Sequence, residues 1–109
     1  MVPCPTHDHA ILEAVILNIR PGRESDFEAA FATASGLIAA TPGYISHQLR
    51  RCLETTARYL LLVYWCTLES HTVNFRNSAN YVEWKRLLHH FYEPFPIVEH
   101  FEACFDSPE

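Results

Sequence analysis

The sequence has little positive charge and no long apolar run. Its 109 residues contain 8 Lys and Arg against 13 Asp and Glu, a net charge of −5 with neutral histidines. The basic pairs Arg50-Arg51 and Lys85-Arg86 are too short to form the basic stripe of a nucleic-acid-binding protein. No stretch approaches the ~18 consecutive apolar residues of a membrane-spanning helix. Neither nucleic acid nor membrane is therefore expected as a partner.

Cysteine motifs and targeting signals are also missing. The four cysteines are widely spaced and none forms a C-x-x-C pair, so neither a zinc knuckle nor a dithiol redox site is predicted. The opening MVPCPTHDHA has neither the charged nor the apolar region of a signal peptide. We therefore expect a cytoplasmic protein with free thiols. His7 and His9 have no further ligands at a matching spacing, and no metal site is predicted.

Hydrophobic periodicity predicts one α+β domain. The segment ILEAVILNIR is apolar and ends at a Pro-Gly turn, which predicts a strand. An apolar stripe recurs at the three- and four-residue spacings of a helix and comprises Phe27, Ala30, Phe31, Ala34, Leu37 and Ile38. The predicted elements are a strand at 11–20, a helix at 23–40, strands at 43–51 and 59–67, a short helix at 69–75, a helix at 81–91 and a strand at 97–105.

This order of elements is that of ferredoxin-like folds, which have an antiparallel four-stranded sheet with both helices on one face. We expect the domain to span 11–106, with tails at 1–10 and 107–109. The third strand, YLLLVYW, presents apolar side chains to both faces of the sheet. The helices cover only one of these faces. A second copy packed sheet against sheet would bury the other face, so we expect a homodimer.

Several segments are similar to one protein family. They are NIRPGRESDF at 18–27, AATPGY at 39–44, RYLLLVYW at 58–65, TLESHTVNFRNSANY at 67–81 and VEHF at 98–101. On these segments the chain resembles the antibiotic biosynthesis monooxygenase domain family of dimeric α+β barrel proteins. The resemblance implies the ferredoxin-like fold and a sheet-to-sheet homodimer. It is less specific for one reaction, since members range from oxygenases to haem-degrading enzymes and fold does not fix function.

Oxygenases of this family work without a metal, flavin or haem, on polycyclic phenols whose own carbanion reduces oxygen. The resemblance therefore implies a cofactor-independent monooxygenase that takes a small aromatic or quinone-like molecule and molecular oxygen. Its site would combine aromatic walls with a few groups that exchange protons or stabilise an oxyanion. The alternative is a non-catalytic dimer of the same fold that binds a small molecule or acts in stress responses.

Two departures from family patterns bear on the site. Many members carry a His-x-x-Ser-x-x-[Phe/Tyr] pattern after the tryptophan, and here Phe75 replaces the histidine while Ser78 and Tyr81 are kept. The haem-degrading branch uses an asparagine on strand one and an axial histidine on helix two. Here Asn18 lies toward the end of the strand and Trp84 stands near the axial position. Haem degradation is therefore disfavoured, and no cofactor is predicted.

Three residues are candidates for catalysis. Trp65, at the end of the third strand, matches the family's tryptophan and could form a cavity wall or simply belong to the core. His71 lies one helical turn before Phe75 and could be a base, or a capping or interface histidine. His100 shares a sheet face with Val98 and is either a base or oxyanion partner or a hydrogen-bonded buried histidine.

A second set of residues is predicted to contact the substrate. It comprises Tyr64, Phe75, Arg76, Tyr81, Trp84 and His47. Arg76 could clamp an anion, although a solvated surface arginine fits the same context. Tyr92, His89 and His90 are predicted to lie at a helix end, on the surface or at an interface. Cys66 is expected to be an inert buried thiol, since nothing near it in sequence favours the thiolate.

Overall fold

The computed structural model describes residues 10–105, which fold in the predicted order. The elements are β1 (Ile11–Asn18), α1 (Glu24–Ala39), β2 (Tyr44–Arg51), β3 (Arg58–Trp65), a π-helical turn (Ser70–Phe75), α2 (Ala79–Leu88), a 3₁₀ turn (His89–Phe91) and β4 (Val98–Phe101). The predicted tails (apart from Ala10) and the His7 and His9 pair lie outside the described residues. Within 10–105, no helix is long and apolar enough to cross a bilayer.

All elements differ from their predicted bounds by one residue or more, and the second helix and the last strand differ most. The second helix begins two residues earlier than predicted, because Ser78 caps it: the Ser78 hydroxyl accepts a hydrogen bond from the backbone N–H of Tyr81 at 3.1 Å. The last strand is shorter than the predicted 97–105. Its pairing with β1 ends at Phe101, opposite Leu12, because β1 itself begins only one residue earlier.

The sheet has the order β2-β3-β1-β4, and all neighbouring strands are antiparallel. Helices α1 and α2 pack against each other over one face. Fully buried Phe27 of α1 anchors this layer, with its ring centroid 5.0 Å from that of Tyr59 on β3. The predicted α+β ferredoxin-like class is confirmed.

The opposite face of the sheet, which we call the open face, carries apolar side chains that nothing in residues 10–105 covers with a second layer. Ile16, Leu60 and Phe101 are 53%, 36% and 49% exposed. Their neighbours Val15 and Leu61 point the other way and are buried. The central strands are thus apolar on both faces, as their alternation predicts.

Candidate active site

A buried carboxyl group, Glu13, lies on the covered face of the sheet. It shares its side of β1 with Val15 and Leu17 and is 5% exposed. In the antiparallel register Glu13 lies opposite Val63 of β3, so Trp65, two residues further on, is its diagonal neighbour. The Trp65 indole N–H donates a hydrogen bond to Glu13 Oε1 at 2.9 Å. Each of these two buried polar groups therefore has a partner.

Two histidines extend this pair into a chain of polar groups. His100 lies directly opposite Glu13 on β4, and His71 comes from the π-helical turn after β3. His71 Nε2 is 3.5 Å from Glu13 Oε1, and His71 Nδ1 is 2.8 Å from His100 Nε2. The His71 ring stacks on Trp65, with centroids 5.3 Å apart and planes 19° apart. We call these four residues the Glu13 network; it brings the three predicted catalytic residues together.

The turn that carries His71 is fixed by its contact with Gly43. The Gly43 carbonyl accepts a hydrogen bond from the backbone N–H of Cys66 at 2.7 Å. Gly43 has a φ of +92°, and a Cβ there would lie 2.1 Å from Ser70 Oγ. Both the backbone conformation and the close approach therefore require glycine. The Ser70 and Thr67 hydroxyls, 2.9 Å apart, hydrogen-bond to each other and close the turn in front of His71.

Burial sets the charge states of the network. It raises the pKa of Glu13 from 4.5 to about 7, against the opposing effects of the Trp65 hydrogen bond and the Arg76 charge. Burial also lowers the pKa of His71 to about 3, with the charges of Arg76 and His100 acting in the same direction. The pKa of His100 is lowered by burial and by Arg76. Near neutral pH Glu13 is therefore divided between acid and carboxylate, whereas both imidazoles are uncharged.

A cavity of about 350 Å³ lies between the sheet and the helices, next to this network. Its volume is at the small end of the range for small-molecule sites, about 300–1,000 Å³. Val15, Leu17 and Leu61 form its apolar floor, and Glu13 and His71 line it as well. The other two network members, Trp65 and His100, are not among the lining residues; they are hydrogen-bonded to Glu13 and His71, respectively.

Four of the six predicted substrate-contacting residues line the cavity: Phe75, Arg76, Tyr81 and Trp84. Phe75 is fully buried, and its ring packs edge-on against Tyr81 and Trp84, with centroids 5.2 and 5.6 Å apart. Arg76 follows Phe75 and is exposed, so its guanidinium stands where the cavity meets solvent. The helical segment from 75 to 84 thus supplies both the aromatic wall and the charged mouth of the site.

The other two, Tyr64 and His47, do not line this cavity. Tyr64 alternates with buried Val63 and points to the open face of the sheet. His47 lies on the covered face of β2, where its Nε2 is 2.7 Å from Ser35 Oγ and its Nδ1 is hydrogen-bonded to the Tyr44 hydroxyl. Burial lowers the pKa of His47. We call Ser35, Tyr44 and His47 the His47 cluster.

Two residues predicted at the surface or an interface line the cavity instead. Tyr92 is 6% exposed and forms part of the cavity wall beside His89. The reason is the path of the chain after α2, which turns back onto β1: the backbone N–H of Glu93 donates to the carbonyl of Asn18 at 2.8 Å. His90 is exposed, in line with the prediction.

The cysteines require one further correction. Cys66 is disulfide-bonded, so the prediction of an inert free thiol was wrong. Cys52 and Cys104 are free. Within the described range, no group of three or more His, Cys, Asp or Glu side chains is arranged to hold a metal ion.

Comparison with known proteins decides the family. The sequence model of the family described as Antibiotic biosynthesis monooxygenase matches residues 11–87. The chain belongs to this family. It is 54% identical over 92 residues to the uncharacterised protein YczJ of Bacillus subtilis (strain 168), a match that covers 84% of this chain and 97% of YczJ.

Solved structures of two further proteins have the same fold. A protein from Bordetella bronchiseptica, named as a candidate antibiotic biosynthesis monooxygenase, superposes with a TM-score of 0.84 at 36% identity, over 89% of this chain and 99% of that one. SnoaB, a cofactor-independent oxygenase from Streptomyces nogalater, superposes with a TM-score of 0.81 at 18% identity, over 93% and 99% of the two chains. The likeness to SnoaB is one of fold.

Position 75 of this chain departs from the His-x-x-Ser-x-x-[Phe/Tyr] pattern. Phe75 stands where many members carry a histidine, and its ring centroid is 5.9 Å from that of Trp65. The histidine nearest to that position is His71, one helical turn earlier. The carboxyl group that His71 faces, Glu13, comes from β1. Glu13 and His71 are therefore the titratable side chains that line this part of the cavity.

Proposed function

We propose that the chain is a cofactor-independent monooxygenase acting on a small phenolic or quinone-like aromatic, with molecular oxygen as co-substrate. The observation that carries this proposal is buried Glu13, which lines an aromatic cavity and has a pKa of about 7. Removal of a proton from a phenol or an anthrone needs a base whose pKa lies near the working pH. Membership of the family supports the same class of reaction.

In the proposed reaction, ionised Glu13 takes a proton from the bound aromatic. The substrate anion then passes its electrons to oxygen. For an anthrone-type CH₂ group, one oxygen atom becomes a ring carbonyl and the other leaves as water, so the substrate supplies all the electrons. Phe75 and Trp84 hold the flat ring and keep bulk water away from it.

The proton can leave through His71, which lines the cavity, and His100, which does not. His71 Nε2 faces Glu13 and His71 Nδ1 is bonded to His100, so a proton accepted at Nε2 is balanced by one released at Nδ1. His100 is only partly buried and passes it to solvent. The 3.5 Å between His71 and Glu13 is longer than a hydrogen bond, and catalytic contacts of this kind tighten when substrate binds. Trp65 has a positioning role, since its N–H holds the carboxyl group in place.

Oxygen uptake tests the proposal. The protein is incubated with anthrone- and dihydroxynaphthalene-type compounds, in air and under nitrogen, while oxygen and product are followed. We expect oxygen-dependent product formation, with a loss of about 10²–10⁴-fold in Glu13→Gln because the base is removed and the shape is kept. Glu69→Gln is the matched control, since Glu69 is exposed just before the His71 turn and does not line the cavity.

Two results would contradict the proposal: no oxygen uptake with any compound of the panel, or full activity in Glu13→Gln. Tight binding of these compounds without oxygen uptake would favour the alternative, a non-catalytic small-molecule-binding protein of the same fold.

We also propose that a second copy of the chain covers the open face, as a sheet-to-sheet homodimer. The exposed apolar residues Ile16, Leu60 and Phe101 support this, and two-fold homodimers are the commonest oligomers. Sedimentation at micromolar concentration should give a dimer, and Ile16→Asp should shift it toward the monomer by burying a charge. Val82→Asp, at an exposed apolar residue of α2, should leave the dimer intact. A monomeric wild-type protein would contradict this assembly.

A further inference from the structure

Arg76 is the one arginine of residues 10–105 whose side chain forms no hydrogen bond or ion pair within those residues. The partnered arginines are Arg20 with Glu93, Arg23 with Asp26, Arg50 with Gln48, Arg51 with Glu28, Arg58 with Asn18 and Arg86 with Glu83. The unpaired guanidinium is also the one that lines the cavity. The planar guanidinium has five N–H donors, and none of them is used within the described residues. At the mouth of a small-molecule site it is suited to binding a ligand carboxylate.

The charge of Arg76 affects the pKa values of three residues of the Glu13 network. It lowers the pKa of Glu13 and of both histidines of the network. Yet Arg76 forms no ion pair with Glu13, although each of these side chains lines the same cavity. A ligand in this cavity can therefore contact both the buried carboxyl group and the guanidinium.

The wall of the cavity offers a second unused donor. Tyr92 is almost fully buried, and its hydroxyl makes no hydrogen bond to any residue of the described chain. Its pKa is raised by burial and by the charges of Glu13 and Tyr81, so the phenol stays protonated at neutral pH. Tyr92 lines the cavity, so a ligand oxygen there can accept a hydrogen bond from this hydroxyl.

We propose that the substrate is an aromatic acid, with a ring hydroxyl that meets Glu13 and Tyr92 and a carboxylate at the far end that binds Arg76. This inference rests on the proposed function for the orientation of the ring and deepens it by naming the substrate class. The carboxylate belongs at the mouth, because next to Glu13 it would face a partly ionised carboxyl group. Arg76 is thus a specificity residue. A neutral hydroquinone that lacks the carboxylate should bind more weakly than the corresponding aromatic acid.

Calorimetric titration with two matched probes tests this inference without oxygen or turnover. The probes are 6-hydroxy-2-naphthoate and 2-naphthol, which share ring and hydroxyl and differ in the carboxylate. We expect the acid to bind about tenfold more tightly, since hydrogen bonds to charged groups contribute more than neutral ones and part of the gain is lost at an exposed site. Arg76→Gln should bring the two affinities together by weakening the acid alone, and Arg76→Lys should keep part of the preference. Arg86→Gln, which breaks an exposed pair with Glu83 away from the cavity, should leave both affinities unchanged.

Equal affinities in the wild type, a preference that survives Arg76→Gln, or no binding of either probe would overturn the inference. A failure of oxygen uptake with the binding preference intact would overturn the monooxygenase proposal alone. A third outcome is equal probe affinities together with oxygen uptake from neutral hydroquinones that Arg76→Gln does not change. The monooxygenase proposal would then stand, and the proposal of an aromatic acid as substrate would be rejected.

Discussion

The Glu13 network and the His47 cluster flank the same residue of the sheet. Val63 of β3 pairs with His47 on β2 at one side and with Glu13 on β1 at the other. Both groups lie under the helices, and both contain a histidine whose two ring nitrogens face polar neighbours. In the His47 cluster those neighbours are hydroxyl groups of Ser35 and Tyr44. In the Glu13 network one neighbour is a carboxyl group and the other is a second imidazole.

This difference decides which group can do acid–base chemistry. Hydroxyl groups satisfy the hydrogen-bonding needs of a buried imidazole but do not titrate near neutral pH. Ser35 and Tyr44 therefore do not exchange protons with His47 at that pH. The carboxyl of Glu13, with its pKa near 7, exchanges a proton at neutral pH. It also lines the cavity, whereas His47 does not. A histidine on a covered sheet face is therefore a poor indicator of a site unless its partner titrates and a ligand can reach it.

The largest expected effect comes from exchanging each histidine for glutamine. His71→Gln keeps a hydrogen-bonding side chain but cannot carry a proton from Glu13 to His100, so oxygen uptake should fall by about 10²–10⁴-fold. His47→Gln removes a residue that lies away from the cavity and should leave the turnover rate unchanged. Steady-state oxygen consumption by both variants, each checked for folding by circular dichroism, gives the comparison. Equal losses in the two variants would mean that the histidines support the fold in the same way and that neither carries protons.

Most of the fold follows from the sequence because strand alternation and helical spacing repeat over several residues. The alternation of Leu61, Val63 and Trp65 with their neighbours correctly assigned both faces of β3. The Phe27 and Phe31 spacing correctly gave the buried side of α1. Such patterns can be recognised within each element, because the period of a helix or a strand fixes which residues share a face.

The site is less predictable because it depends on contacts between distant segments. The sequence contains a signal for Glu13: it alternates with Val15 and Leu17, so a carboxyl group stands on the inward side of an apolar strand. Glu13 was not predicted as a site residue, because β1 was interpreted only as a strand that is apolar on both faces. The bond between His71 and His100 joins residues 29 apart, and tertiary packing alone sets it. The position of Tyr92 follows from an irregular segment after α2, for which no periodicity exists.

The second expected effect is on stability and its dependence on pH. The pKa of Glu13 is raised on folding, so between pH 4.5 and about 7 the unfolded chain binds fewer protons than the folded one, and stability falls as pH rises. Above pH 7 the full cost is present, on the order of 3 kcal/mol. Glu13→Gln removes it. The free energy of unfolding of Glu13→Gln relative to wild type should therefore increase by up to this amount between pH 4 and pH 8.5.

Urea denaturation at the two pH values measures this difference. The lowered pKa of His71 favours folding as pH rises toward 6.5, and because this contribution is present in both proteins it cancels in the comparison. His47→Gln is the counterpart from the other cluster. Its lost hydrogen bonds should cost about 1–2 kcal/mol, with the same difference from wild type at pH 7 and pH 8.5. A pH-independent difference for Glu13→Gln would show that Glu13 has an ordinary pKa and would remove the distinction between the clusters.

The smallest effect should come from removing one aromatic donor at a time. Trp65→Phe deletes the N–H that stabilises the Glu13 carboxylate, so the pKa of Glu13 should rise above 7 by about one unit, the equivalent of one hydrogen bond to a charged group. Tyr44→Phe deletes the corresponding hydroxyl of the His47 cluster and should leave the pKa of Glu13 unchanged. The carboxyl carbon of Glu13, followed by ¹³C NMR against pH, reports this value directly and does not require activity. If the two substitutions moved the Glu13 titration equally, or if Trp65→Phe lowered it, the indole would not be the group that holds the carboxylate. Its place in the fold would then be explained by packing on His71 and Phe75 alone.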